Sequence, residues 1–205
     1  MGAVETPSRA RRGQFIFVGG RLALDLLNTR LQSPAEPAEL LANRADLSAW
    51  AETVELPYAA SLRALLSRGS RSTDVRRLRA LREAIRRGLM GWQRGSVDSS
   101  LLDWLNSALQ REPRFLQLRT SSTGTSGYLA SRVLPIDRLC ADTARSAARM
   151  ILHDDPQRFR TCEGPRCSLV FYDQSKPGTR HWCSMERCGR QAKIRAFGMR
   201  RPGRR

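Results

Sequence analysis

The last quarter of the chain holds four of its five cysteines, arranged as two close pairs. Cys162 and Cys167 form the first pair, Cys183 and Cys188 form the second, and the spacing is C-x4-C-x15-C-x4-C. Two such pairs are typical of a structural zinc site, because each pair supplies one edge of a tetrahedron and thiolates suit this borderline-soft ion. We therefore predict that they bind one Zn²⁺ ion, rather than forming two disulfides or packing as free thiols.

The predicted zinc is structural. Four cysteines close the tetrahedron, whereas a catalytic zinc keeps one position open for water. The only histidines are His153 and His181, and His181 is too near Cys183 to be a fifth ligand without distortion. The sequence also lacks the HExxH, GxSxG, GxxxxGK[ST] and GxGxxG motifs. We expect no enzymatic activity.

Local patterns predict the elements that position the ligands. Residues 168–172 favour a strand, residues 174–178 a turn, and residues 179–182 a returning second strand. Ser184 is a good N-cap for a helix over residues 185–197. A knuckle, a hairpin and a helix carrying the last ligand make a treble-clef-like module. About 40 residues bury too little apolar surface to fold alone, so the metal would supply much of the folding free energy.

The charge of the chain is strongly positive, at +17, with 36 Lys or Arg against 19 Asp or Glu. Residues 158–205 contain 13 Arg or Lys and 3 Asp or Glu, a net charge of +10. Such an excess predicts attraction to polyanions such as nucleic acid, an anionic membrane or an acidic protein. The sequence contains no run of about 18 apolar residues, so we expect no membrane span, and it shows no signal peptide. We expect a cytoplasmic protein, associated with the nucleoid if the source is bacterial.

Several of these cations fall on the predicted zinc-module helix. At 100° per residue, Arg187, Arg190 and Lys193 share one side, with Arg180 before the helix and Arg195 further along it. The opposite side, toward the metal and core, would carry Met185, Cys188, Ala192, Ala196 and Met199. A row of cations can contact successive phosphates, which favours a nucleic-acid partner. The alternatives are a solvated helix face, a protein-docking surface with purely structural zinc, and an RNA-binding surface.

The rest of the chain is predicted to be mainly helical, with a short β element. We predict a disordered basic arm over 1–12, a helical domain over 13–157 and the zinc module with a basic tail over 158–205. Helices are expected at 22–31, from Asp46 through Trp50, 57–66, 74–89, 99–109 and 137–152, with a helical turn at 38–43 and strands at 15–18, 115–119 and 128–134.

Four residues of the helical domain are candidates for a ligand pocket. Asp25 and Asn28 are three apart on a predicted helix and share a face, and Thr29 and Trp50 could join them. An unidentified small ligand would then be sensed here. The alternative is an internal network of caps and helix–strand hydrogen bonds. The sequence leaves open whether the protein is a homodimer.

Two segments resemble known families. The zinc segment is similar to the CGNR zinc finger, through Cys162, Cys167, Phe171, Asp173, Ser175, Arg180, Trp182, Cys183, Ser184, Met185, Cys188, Gly189 and Lys193. The segment GGRLALDLLNT resembles the start of the ABATE domain, which accompanies this finger in a family described as stress-induced transcription regulators. The resemblance implies zinc and DNA binding. The chain departs from the name motif, since Arg190-Gln191 stands where the family has Asn-Arg.

Overall fold

The computed structural model describes residues 15–32, 37–68, 73–130 and 132–199. These residues form a mainly helical protein with small antiparallel strand pairs, which confirms the predicted fold class. The predicted basic arm over 1–12 and the arginines from Arg200 onward lie outside the described residues. Among the residues described, no helix is both long and apolar enough to span a bilayer.

The elements follow one another as helices interrupted by three hairpin-like strand pairs. The helices are α1 (Leu22–Leu27), α2 (Arg44–Thr53), α3 (Ala59–Ser67), α4 (Thr73–Gln93), α5 (Ser99–Gln110), α6 (Pro135–His153) and α7 (Arg190–Met199). The strands are β1 (Arg30–Gln32), β2 (Pro37–Glu39), β3 (Phe115–Ser121), β4 (Gly124–Ala130), β5 (Phe159–Thr161) and β6 (Val170–Tyr172). Each odd-numbered strand pairs antiparallel with the even-numbered strand that follows it.

The longest helix, α4, shows why the helical part folds. Its apolar side chains recur every three or four residues, so one stripe faces the core; the buried members include Val75, Leu78, Leu81, Ile85, Leu89 and Trp92. Helix α6 packs beside it and buries a stripe of mostly small residues. Helix α2 begins with a capping box in which Asn43 and Asp46 bond each other's backbone, so Asn43 is the N-cap instead of Asp46.

The N-terminal segment differs from its prediction. Residues 15–18 form only an isolated bridge at Phe15, and α1 ends at Leu27 instead of Leu31. Residues 30–32 pair with 37–39, so the predicted helical turn over 38–43 is wrong as well. The helix ends early because side chains satisfy its last carbonyls: the Thr29 hydroxyl donates to Leu26 O, and an Arg86 Nη2 donates to Leu27 O.

Strands β3 and β4 form a ribbon that is exposed along all of β3. The predicted pairing of this region is confirmed, but its register is different, since β4 begins at Gly124 and the connection is a tight turn instead of a loop over 121–127. Gly124 has a φ of +123°, which side chains with a Cβ rarely adopt, so glycine is required at this corner.

Two apolar clusters join the zinc segment (residues 158–199) to the helical part (the described residues before 158). The larger core contains Phe159, Val170 and Tyr172 together with the buried side chains of α1 to α6. The smaller cluster unites Ile16 and Val18 with side chains of the zinc segment, namely Cys162, Leu169, Phe171 and Cys183. The zinc segment therefore shares buried surface with the helices. The residue boundaries that we predict for the two domains stay a prediction.

Candidate metal centre

The first ligand pair is held by a strand pair that the sequence did not indicate. Strand β6 pairs with β5, which precedes Cys162, and residues 179–182 form no strand. The predicted hairpin is therefore wrong. Asp173 explains the difference, because its carboxylate accepts the N–H of Ser175 at 2.9 Å and that of Arg180 at 2.8 Å. These bonds curl the chain after β6 into a loop instead of a returning strand.

The Asp173 carboxylate is fully buried. Burial raises its pKa, but the hydrogen bonds from Ser175 and Arg180 outweigh that cost, so the pKa is lowered overall and the group stays ionised. The chain over residues 179–182 instead bonds to the first knuckle, which is the turn between Cys162 and Cys167. There the N–H of Glu163 donates to His181 O at 3.0 Å. The second ligand pair is thereby brought back to the first.

The four predicted ligands converge on one point. All four Sγ atoms lie within 4.8 Å of one another, and no other group of three or more potential ligands is found among the described residues. The Cys183 Sγ lies 3.8 Å from that of Cys167 and 3.7 Å from that of Cys188. Zinc–sulfur bonds of about 2.3 Å imply a sulfur–sulfur edge of roughly 3.8 Å in a tetrahedron. The donor set therefore fits one zinc ion, and it leaves no ligand position for water.

Backbone groups and neighbouring thiols favour negative charge at one of these sulfurs, that of Cys162. The N–H groups of Cys183 and Gly164 donate to Cys162 Sγ at 3.2 and 3.4 Å. Hydrogen bonds from Cys167 and Cys183 lower the pKa of Cys162 to about 2. Hydrogen bonds to Cys162 and Cys167 raise the pKa of Cys183, since a second anion nearby is repelled. A divalent cation removes that repulsion, so metal binding releases protons from the set.

The turn after Cys183 carries the last ligand. Ser184 is the predicted N-cap, and its hydroxyl accepts the Arg187 N–H at 3.1 Å. Residues 185–189 form a π-helical turn, closed by a bond from Gly189 N–H to Ser184 O, before α7 begins. The extra residue in this turn shifts the helical register. Met185, predicted to face the core, is 53% exposed, so that part of the face assignment is wrong.

Gly164 is the point of closest approach in the knuckle. A Cβ there would lie 2.9 Å from Cys188 Sγ and 3.1 Å from Cys167 Cβ. The Cys188 sulfur holds the metal and the Cys167 Cβ carries a second ligand sulfur, so neither can shift freely, and we expect Gly164→Ala to weaken zinc binding by roughly 10-fold or more. Competition against a chelating zinc indicator measures the change. Pro165→Ala is the control, since Pro165 is exposed; equal affinity in both variants would contradict the prediction.

Arg180, a predicted nucleic-acid contact, is engaged inside the protein. Its guanidinium lies 4.3 Å from the centre of the Phe171 ring and donates to the carbonyls of Trp182 and Cys183. Burial lowers its pKa from the ordinary value. These contacts brace the loop that leads into the second ligand pair.

The other predicted contacts lie on or beside α7 and reach the surface. Arg190, Lys193 and Arg195 are exposed, and Arg187 is half-buried. Arg190 and Lys193 are three residues apart on α7 and so share a face. Arg166, which the sequence analysis did not single out, is exposed within the first knuckle. The sequence signal that could have identified Arg166 is its position between Cys162 and Cys167. The predicted core positions Ala196 and Met199 have side chains outside the described residues.

The four candidate pocket residues are all buried, at 2% exposure or less. The Asp25 carboxylate accepts the Gly19 N–H at 2.9 Å, and the Asn28 amide bonds the backbone of Val170. The Thr29 hydroxyl donates to Leu26 O and accepts from Arg82 at 2.9 Å. The structure thus places Asp25, Asn28 and Thr29 in an internal hydrogen-bond network.

Trp50 lies in the larger core, and its indole N–H has no hydrogen-bond partner among the described residues. It does not share the hydrogen bonds that hold Asp25, Asn28 and Thr29. A ligand pocket at these four residues stays a prediction.

Comparison with known families agrees with this geometry. The model of the CGNR zinc finger matches residues 158–201, which contain all four ligands. The model of the ABATE family, described as "Putative stress-induced transcription regulator", matches residues 20–154, well over half of the chain. No curated protein matches the chain. Both resemblances drawn from the motifs are confirmed, and the chain belongs to the ABATE family and carries a C-terminal CGNR zinc finger with a site for one zinc ion.

Proposed function

We propose that this protein is a cytoplasmic, DNA-binding transcription regulator without catalytic activity. The observation that carries the proposal is the cationic surface on and beside α7, formed by the exposed Arg190, Lys193 and Arg195 with the half-buried Arg187, next to the closed four-cysteine site. Zinc acts structurally here, because it fixes the turn from which α7 begins. Membership of a family of transcription regulators supports the same function.

The cations of this surface would bind the phosphate backbone. A guanidinium can donate two parallel hydrogen bonds to one phosphate, and an ammonium acts as a point charge. Each neutralised phosphate releases condensed counterions, so binding weakens steeply as salt rises. Four thiolates and Zn²⁺ together carry a charge of −2, which the +10 of residues 158–205 exceeds. Electrostatic attraction to DNA therefore persists with the metal bound.

The departure from the family motif bears on sequence preference. Arg190-Gln191 retains one positive charge but moves it one position toward the last ligand, Cys188. Both residues are exposed. A guanidinium and an amide at these positions would present different hydrogen-bonding groups to base edges from the family's Asn-Arg pair. We propose that this chain recognises a different DNA sequence from relatives that retain the pair.

Replacing Arg187, Arg190 and Lys193 together with alanine is expected to weaken binding to duplex DNA by roughly 10- to 100-fold at physiological salt. The slope of log K against log salt should fall in magnitude by about 3, one unit for each lost phosphate contact. Fluorescence anisotropy with a labelled duplex at several salt concentrations measures both quantities.

The matched control removes the same charge elsewhere, through the exposed Arg63, Arg68 and Arg111 of the helical part. This control variant should keep the wild-type slope. If the two triple variants lose affinity equally, only the net charge matters and the α7 surface has no special role. Retained zinc in both variants, shown by elemental analysis, excludes loss of the fold as the cause.

A second function is favoured by two exposed apolar side chains among the cations. Met185 is 53% exposed and Ile194 is 64% exposed, and both flank Arg187 and Arg190 in sequence. Mixed apolar and cationic surfaces suit a protein partner with an acidic rim. A protein-docking finger predicts no salt-dependent binding to DNA, and an RNA-binding finger predicts that RNA displaces the duplex. One competition series therefore separates the three functions.

A further inference from the structure

We infer that Asn28 of the helical part is a positioning residue of the zinc site. It lies 134 residues before the first ligand, and its side chain holds the strand from which the first ligand pair is built. The inference concerns how the chain prepares its metal site. It does not depend on whether the finger binds DNA.

The Asn28 side chain bonds β6 in the way that the backbone of a neighbouring strand would. The Asn28 Nδ2 donates to Val170 O at 2.9 Å, and its Oδ1 accepts the Val170 N–H at 2.9 Å. The pair is buried, and Asn28 is only 2% exposed. One side-chain amide thus satisfies both polar backbone groups of Val170. Removing it would leave a buried donor and a buried acceptor unpaired, which is costly where water cannot enter.

Val170 lies one residue from the backbone bond that holds the first metal ligand. It pairs with Thr161, the residue before Cys162. The next bond of the ladder runs from Cys162 N–H to Leu169 O at 2.9 Å. Cys167 follows from the same segment, two residues before Leu169. The position of β6 therefore sets the position of both sulfurs of the first pair.

Other groups of the helical part also form hydrogen bonds to the zinc segment, so the helical part positions the backbone that carries the first ligand pair. Gly19 O accepts the Tyr172 N–H at 3.0 Å, and the Gln93 amide donates to Phe159 O at 2.5 Å. The Ser168 hydroxyl accepts the Gln32 N–H at 2.7 Å. Asn28 differs from these contacts, because its amide is buried and both of its polar atoms bond the same residue, Val170. Preorganised ligands bind a metal more tightly, because less chain entropy is lost on binding.

Coupling between two sites is reciprocal. If the helical part raises the affinity of the site for zinc, zinc must stabilise the helical part by the same free energy. The link reaches further into the helices, because the neighbouring Thr29 hydroxyl is held by the buried Arg82. A change in the helical part that displaces Asn28 would therefore lower the affinity of the site for zinc. Zinc affinity thus depends on the helical part as well as on the zinc segment.

The test compares zinc affinity in full-length Asn28→Ala and wild-type protein, by competition with a chelating indicator well below the melting temperature. We expect Asn28→Ala to bind one zinc per chain at saturation, but roughly 10- to 100-fold more weakly, as for lost outer-shell partners of other metal sites. The rise in melting temperature that zinc produces should shrink by a corresponding amount.

Ser146→Ala is the matched control. The Ser146 hydroxyl accepts the Ala23 N–H at 3.1 Å, so this variant loses one hydrogen bond between α1 and α6, whereas Asn28→Ala loses two bonds to β6. It should melt at a lower temperature with unchanged zinc affinity. Equal zinc affinity in Asn28→Ala and the control would overturn the inference, because Asn28 would then be a merely structural residue.

Asn28→Asp keeps the test decisive if the alanine variant does not fold. The aspartate has the same shape and still accepts the Val170 N–H, but it offers a carboxylate oxygen to Val170 O in place of a donor. We expect weakened zinc binding here as well, and wild-type affinity would overturn the inference. Zinc affinity is measured here without DNA, so a failure of the proposed DNA binding would leave this result unaffected.

Discussion

Cys183→Ser is expected to abolish stoichiometric zinc binding and to unfold the zinc segment. Cys183 is fully buried, and its sulfur lies within 3.8 Å of two other ligand sulfurs. A serine hydroxyl is a poor zinc ligand, and structural zinc contributes about 10–16 kcal/mol of apparent binding free energy in zinc-finger peptides. Losing one of four thiolates removes much of that stabilisation. Elemental analysis should give well under one zinc per chain.

The damage should extend into the helical part. Phe159, Val170 and Tyr172 belong to the core of α1 to α6, and the zinc segment also covers Ile16 and Val18. When the segment unfolds, this apolar surface meets water at about 25 cal/mol per Å². We therefore expect the helical circular-dichroism signal of Cys183→Ser to melt at a lower temperature, and a chelator to have the same effect on the wild type.

Cys140→Ala is the control for that experiment. Cys140 is buried on α6, and burial raises the pKa of its thiol to about 11, so it stays protonated. The fifth cysteine lies outside the metal cluster, and its removal should leave one zinc per chain. A Cys183→Ser protein that kept one zinc and the wild-type melting temperature would contradict the four-ligand site.

Arg82→Met is expected to lower the free energy of unfolding by about 3–5 kcal/mol. The Arg82 side chain is 1% exposed and carries its charge into the core of the helical part. It donates to both carboxylate oxygens of Glu39, at 2.5 and 2.8 Å, and to Glu83 and Thr29 at 2.9 Å. Methionine fills a similar volume but donates no hydrogen bond, so the Glu39 carboxylate loses its main partner.

Arg87→Met is the matched control, because Arg87 is exposed on the same helix and surface substitutions usually change stability by less than about 0.5 kcal/mol. Urea unfolding at neutral pH measures both variants with zinc at saturation. Equal stability of Arg82→Met and wild type would show that the ion cluster contributes nothing net.

The defect should also depend on pH. Burial raises the pKa of Glu39, but the hydrogen bonds from Arg82 and Leu41 and the attraction to Arg82 and Arg79 together outweigh it and hold the pKa below the ordinary value of 4.5. A lowered pKa contributes stability that is present above about 4.5 and lost as the pH falls through the folded-state value. The gap between wild type and Arg82→Met should therefore narrow on acidification below that value.

Features that depend on residue type and short spacing were determined by the sequence alone. Four thiolates at C-x4-C-x15-C-x4-C can satisfy zinc in only one simple way, so the ligand set followed without a structure. The stripes of α4 and α6 are likewise local patterns, since an amphipathic helix is encoded by residues three and four apart. The Ser184 N-cap depends on its own turn and was predicted for the same reason.

Only the tertiary structure decided what depends on distant partners. The partner of β6 is β5 instead of residues 179–182, because the buried Asp173 carboxylate curls the chain that follows. The π-helical turn moves Met185 to the surface. It forms because Cys188 must reach the other ligands, a requirement that helix propensity does not encode.

Asn28 shows the same limit most clearly. The sequence offered a ligand pocket or an internal hydrogen-bond network for it without naming a partner, and its amide spans 142 positions to bond Val170 beside the zinc knuckle. A hydrogen bond of that separation leaves no periodicity in the chain. It exists because the helices and the zinc segment bury a common surface, where Val170 needs a partner that water cannot supply.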